Sequence, residues 1–143
     1  MGIFDALDIS ASGLIAERTR MDVTSQNLAN AQSSGYRRQD VVLRESGGGF
    51  ANVLGQAIGA SGDSGRGVEV AAVTTDQSEQ RRVYDPGHPD ADKETGMVAM
   101  PNVNPVTEMV NMLQASAAYK AAAEVVSITK DMASTIRNMA NRI

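Results

Sequence analysis

The chain has no cysteine and no tryptophan, and its 143 residues include only 2 Phe, 3 Tyr and 4 Pro. Without cysteine there is no disulfide, no thiolate metal site and no cysteine nucleophile. Aromatic side chains bury the most apolar area per residue, so a chain this poor in them builds a thin core. Its 42% apolar content rests heavily on alanine and on 8 Met, which suits helix-on-helix contact better than a compact globule. A basic excess is missing too. The net charge is -4 and the pI near 4.9, against a nucleic-acid partner that needs a basic face. No apolar run approaches the roughly 18 residues of a membrane span, so no membrane insertion is expected. Asp5, Asp8 and Ser10 interrupt the N-terminal segment. A cleavable secretory signal is therefore not expected, and export would use another route.

What is present is helical at both ends. Residues 3 to 30 read as a helix without proline, with Leu7, Leu14, Met21 and Leu28 recurring every seven residues. Phe4 and Ala11 occupy the alternate seam positions, but Arg18 and Ser25 break that second row. This is half a coiled-coil pattern. The C-terminal segment is stronger. Asn104 suits an N-cap, Pro105 the first helical position, and Glu108 the electropositive first turn. Neither Gly nor Pro follows to the end of the chain. An apolar row runs Val106, Val110, Leu113, Ala117, Ala121, Val125, Ile128, Met132, Ile136, Met139, Ile143. Its mixed gaps of three and four have the helical period. Met109, Met112, Ala115, Ala118, Ala122 and Val126 lie off that row, so the apolar surface is wider than one shorter helix covers. Monomers rarely expose such a patch, and other chains are expected on it.

Between the helices, "YRRQDVVLRE" and "GVEVAAVTTD" read as strands, the second with its period blurred at Ala72 and Val73. "MVAM" reads as a further short strand. Glycines crowd residues 47–67, read as a loop with a short apolar turn at 50–58, and "YDPGHPDADKETG" reads as a turn-rich loop. The expected organisation is an N-terminal helix over 1–30, a middle β/loop segment over 31–104 with the Gly-rich insert at 47–67, and a C-terminal helix over 105–143. The fold class is mainly α with a small β segment, the two helices paired as a coiled-coil-like layer.

Two separated stretches carry a family resemblance. "SQNLANAQSSGYRR", residues 25–38, presents Asn27, Leu28, Asn30, Gly35 and Tyr36, and "VNMLQASAAYKAAAEVV" covers residues 110–126. Both resemble the signatures of the bacterial flagellar axial family of rod, hook and hook-associated proteins. "VYDPGHPDAD" and "MPNVNPVTEMVNML" are most similar to its proximal rod members. The chain departs from the family in using "AQSSGY" where a Thr-Pro or Thr-Glu pair often precedes the glycine, and in its longer glycine-rich insert. The resemblance implies a paired-helix inner layer and a partly β outer segment. It also implies helical stacking into a torque-transmitting tube around an export channel. Implied partners are copies of the chain, other rod proteins, basal-body adaptor and MS-ring components, and the flagellar export apparatus. The implied location is the basal-body rod crossing the periplasm.

The expected assembly interface draws on Leu7, Leu14, Met21, Leu28, Asn27 and Asn30 from the first helix. From the last it draws on Val110, Leu113, Ala117, Ala121, Val125, Ile128, Met132 and Met139. Asn27 and Asn30 are expected to hydrogen-bond neighbouring backbone and mark where the helix hands over to the outer segment, and Gly35 to supply a positive φ. No catalytic, cofactor or metal residue is assigned. His88 is the only histidine, and "DADKETG" misses the EF-hand pattern, since its glycine falls one place late and Pro101 stands where a glutamate should close the loop. No G-x-S-x-G or phosphate-binding glycine motif is present. Two other readings stay open: a soluble helical adaptor forming a small closed oligomer, and a hydrolase or metal enzyme built on the middle segment.

Overall fold

The structure is a computed structural model that describes residues 3–46 and 67–140, the side chains of Ile3 and Phe4 excepted. Most of the insert, including the turn expected at 50–58, and the end of the apolar row at Ile143 lie outside the described residues. Helix α1 spans Ile3–Ala29 and helix α2 spans Pro105–Ala140. Between them lie β1 (Gln39–Glu45), β2 (Val68–Thr75), β3 (Arg81–Tyr84) and β4 (Met97–Met100). With 27 and 36 residues, the helices reach roughly 40 and 54 Å.

The helix ends are set as their residues suggest. At the end of α1, the Gln26 carbonyl accepts from both donors of Asn30, its backbone N at 3.1 Å and its Nδ2 at 2.9 Å, which closes the last turn. The chain turns out at Gly35, whose φ of 74° is the left-handed conformation glycine adopts without strain. At the start of α2, Asn104 Oδ1 accepts from Val106 N at 3.0 Å and Thr107 N at 3.4 Å, the expected N-cap with Pro105 behind it.

The strands form two separate antiparallel pairs, β1 with β2 and β3 with β4. In the first, Val42 faces Ala72 but Leu43 faces Val70, which leaves Ala71 as the extra residue of a bulge. That bulge is why the alternation of "VEVAAVTT" blurs. Strand β3 is a correction. Tyr84 belongs to a strand rather than to the turn-rich loop, and Arg81–Val83 lead into it. All four β3 residues are exposed, so no buried alternation marks it.

Helices α1 and α2 pack together, and α1 also carries the β1–β2 hairpin. The hairpin is pinned where β2 begins: Val68 N donates to Ser12 Oγ at 3.0 Å. A Cβ on Gly67 would fall on that hydroxyl, so a side chain there would turn Ser12 away and break this bond. On α1 the deepest side chains are Ala16, Val23, Thr24 and Asn27, whereas Leu7, Leu14, Met21 and Leu28 are half-buried. The seven-residue leucine row thus runs along the flank of the covered face. Small residues hold its centre, where two neighbouring elements approach the helix backbone. On α2 the buried positions are Glu108, Ala115 and Thr129, with Ala122 half-buried in the same seven-residue series.

Candidate functional site

Two regions of the molecule stand out: a buried polar cluster where helices meet strands, and an apolar surface along α2.

The cluster centres on Asn27, only 1% exposed. An asparagine amide has two donors and two acceptor sites, and here all four are used. Nδ2 donates to the Gln39 carbonyl at 2.7 Å and to Glu108 Oε2 at 3.1 Å. Oδ1 accepts from Gln39 N at 2.9 Å and from the Tyr36 hydroxyl at 2.9 Å. Towards Gln39 the helix side chain therefore acts like a neighbouring strand, engaging both backbone groups of the first residue of β1. Glu108, also 1% exposed, is ion-paired through Oε1 to Arg38 Nε at 2.8 Å. A carboxylate is this deeply buried only when paired and hydrogen-bonded. The hydrogen bond to Glu108 raises the Arg38 pKa above its ordinary value. Burial raises that of Tyr36, and the Glu108 charge adds to the rise.

From this cluster, hydrogen bonds lead outward. Arg38 N donates to Asn102 Oδ1 at 2.8 Å, and Asn102 Nδ2 donates to Ser78 Oγ at 2.8 Å. Asp76 N donates to the Arg38 carbonyl at 2.8 Å, and Gly35 N to the Ala99 carbonyl on β4 at 3.0 Å. Gln80 Nε2 donates to the Tyr36 carbonyl at 2.9 Å. Residues 35–39 thus join both strand pairs to both helices. The expectation for Asn27 describes this junction. Asn30 acts locally, binding the Gln26 carbonyl and accepting from Ser33 Oγ at 3.2 Å.

The sequence reading missed Arg38 and Glu108 as members of this cluster. A signal was present: Glu108 starts the seven-residue series of Ala115, Ala122 and Thr129, a charge in line with the smallest residues of the helix.

The second region is the opposite side of α2. Val106, Met109, Val110, Leu113, Val125, Ile128, Met132, Ile136 and Met139 are each between 46% and 70% exposed. Ala117 and Ala121 are exposed between them. At 3.6 residues per turn Val106, Met109, Val110, Leu113, Ile128 and Met139 lie across the helix from Ala115, so this part of the row faces away from α1. Val125 and Met132 lie to one side, and Ile136 continues the seven-residue series of Glu108, Ala115 and Thr129. α2 is also longer than α1, and its described residues from Ser134 to Ala140 are exposed on every side.

The loop around His88 is organised by its own backbone. Asp92 N donates to the Met97 carbonyl at 3.0 Å, and Gly96, with φ 66°, donates to the Asp92 carbonyl at 2.7 Å. Hydrogen bonds from the backbone of Glu94 and Thr95 hold the Asp92 carboxyl below the usual carboxylate range. His88 Nδ1 accepts from Asp90 N at 3.1 Å. Among the described residues, no three of His, Asp and Glu gather as a metal site, and no helix is long and apolar enough to cross a membrane.

Both regions overlap segments shared with known proteins. Residues 7–37 match the family model described as flagella basal body rod protein, and residues 94–139 match flagellar basal body rod FlgEFG protein C-terminal. The chain is 40% identical over 142 residues to the flagellar basal-body rod protein FlgC of Bacillus subtilis (strain 168), covering 92% of this chain and 94% of that one. It is 38% identical to the FlgC proteins of Borreliella burgdorferi and Salmonella typhimurium (strain LT2), covering 92% of this chain and 93% of each.

Proposed function

The chain belongs to the flagellar basal-body rod protein family and is a structural component of the rod, not an enzyme, and from that premise we propose how it builds the rod. The terminal segments 1–30 and 105–143, through helices α1 and α2, form the inner, coiled-coil-like layer of a helical tube in the proximal rod. The segment 31–104 forms the outer part of each subunit. Copies of the chain and other rod proteins cover the outward face of α2. The stacked helices make a stiff shaft that transmits torque and encloses the export channel. The basal-body adaptor and the MS ring are its expected neighbours at the base. The subunit reaches the periplasm through the flagellar export apparatus.

One observation carries this reading. Most of the apolar row of α2, at Val106, Met109, Val110, Leu113, Ile128 and Met139, faces away from the only helix that packs on it within the described chain. Leaving such a surface in water is unfavourable by about 25 cal/mol per Å², and neighbouring subunits remove it from water. Met fits a surface that meets more than one partner, because it adapts to differently shaped neighbours. A closed adaptor oligomer would also cover the face, but the match to rod proteins at both ends of the chain favours open assembly.

The test is Leu113→Asp and Ile128→Asp, made singly. Each places a charge in a desolvated contact. The expected result is a protein that is made and exported while purified basal bodies lack an intact rod and cells do not swim. Normal rods in both variants would remove this face from assembly.

A further inference from the structure

The buried cluster poses a problem of its own. A buried ion pair contributes little net stability compared with apolar residues of the same volume, and this chain has little apolar core to spare. We propose that Asn27, Arg38 and Glu108 form a positioning cluster that sets the angle between the β1–β2 hairpin and the helix pair.

Three observations lead to this. First, apart from the single bond from Val68 N to Ser12 Oγ, the hairpin has little to hold its orientation. The side chains of β1 alternate between half-buried and exposed, and none is fully buried. The second half of β2 is exposed throughout. Apolar contact is non-directional, so a thin contact of this kind leaves the angle loose. Second, the bonds at the cluster are directional and come from three elements. Asn27 of α1 engages both backbone groups of Gln39 on β1, and Glu108 of α2 engages both Asn27 and Arg38. Third, the donor and acceptor capacity of Asn27 is filled, so a different angle would break several bonds together. The centre of the helix pair, by contrast, is built from small side chains such as Ala16 and Ala115, which pack without any bond to the cluster. An assembly of repeating subunits needs the same angle in every copy. That consequence rests on the rod reading, but the angle itself does not.

The test measures the angle directly in the full chain. The chain has no cysteine, so paired spin labels on introduced cysteines report single distances. One pair joins hairpin to helix, Ala72→Cys with Lys120→Cys. The other joins the helices, Asp22→Cys with Lys120→Cys. All three sites are exposed. The cluster is altered in two ways: Asn27→Leu/Arg38→Met/Glu108→Leu removes it, and Arg38→Lys keeps the charge but loses the guanidinium fork. In both backgrounds the hairpin–helix distance distribution should broaden, more in the triple variant than in Arg38→Lys. The helix–helix distribution should keep its width. If the hairpin–helix distance stays narrow in both backgrounds, something else sets the angle. If both distances broaden together in Arg38→Lys, the cluster holds the fold as a whole and positions nothing. Either result overturns the proposal. If the triple variant does not fold, Arg38→Lys alone decides between these outcomes.

Discussion

At its first turn α2 hides a carboxylate, and farther along the same helix it leaves leucine, isoleucine and methionine in water. Glu108 is 1% exposed and Leu113 is 70% exposed, which reverses the usual distribution. A buried polar group or an exposed apolar patch is informative where a buried leucine is not. The difference teaches a division of labour. Within the chain, where an angle has to be set and little apolar area is available, directional hydrogen bonds join helices to strands. Between chains, in the assembly proposed above, area governs how strongly long helices hold together, and the apolar side chains remain available for it. The two regions should therefore fail in different ways.

The largest effect should come from the outward face, and it should be absent from the isolated subunit. Leu113→Asp is expected to abolish rods, yet leave the subunit's unfolding free energy within about 0.5 kcal/mol, as for other exposed substitutions. Chemical denaturation of the monomer beside counts of rods in basal bodies gives both halves. A large loss of monomer stability would mean that this face is packed within the chain, and the comparison would collapse.

The junction should show the opposite balance. Arg38→Ala leaves Glu108 buried without its cation. Breaking a buried pair costs about 3–5 kcal/mol, and the Arg38 side chain is 20% exposed, which points to the low end, roughly 3 kcal/mol. Thermal and denaturant unfolding should detect this before any assembly assay does. A loss below about 1 kcal/mol would place the pair in the class of exposed salt bridges.

Along α2 the contrast becomes a gradient. Helix stability comes mostly from packing rather than intrinsic propensity. In an isolated monomer, amides near the cluster at 108–116 should exchange hydrogen slowly, and those at 130–140, where most side chains are exposed, should exchange fast. Strong protection through to residue 140 would show that the helix stands without neighbours.

Much of this was legible in the sequence, for identifiable reasons. Caps and breakers act locally, so Asn104 and Pro105 mark the start of α2 and Asn30 and Gly35 the exit from α1. The helical period of the apolar row was equally plain. What the period leaves open is which face α1 covers, and α1 covers the side with Ala115 and Ala122 rather than Leu113 and Ile128. Coverage follows how closely two backbones approach, and small residues permit the closest approach. The pairing of Asn27 with Glu108 spans 81 positions, and no local pattern encodes it. Strand β3 went unseen because "RRVY" buries none of its residues.

The smallest effects should fall in the β3–β4 loop, outside both regions, where two neighbouring features make a control. Gly96 sits at φ 66°, and a Cβ there would lie 2.8 Å from the Tyr84 ring. Gly96→Ala should cost about 1–2 kcal/mol, the penalty of a side chain in the left-handed conformation, with the ring contact adding to it. His88→Ala removes an acceptor for Asp90 N at a site where water replaces it readily. Its cost should stay within about 0.5 kcal/mol, with assembly and motility near normal. The loop's shape depends on Asp92 and Gly96, whose backbone bonds to Met97 and Asp85 survive the loss of the imidazole. Deleting several loop residues would instead shift β4, and with it Asn104 and the start of α2, so rods should be lost. If His88→Ala alone abolishes the rod, and a chelator or added divalent metal alters the wild type, the loop holds an ion and its chemistry must be reassigned.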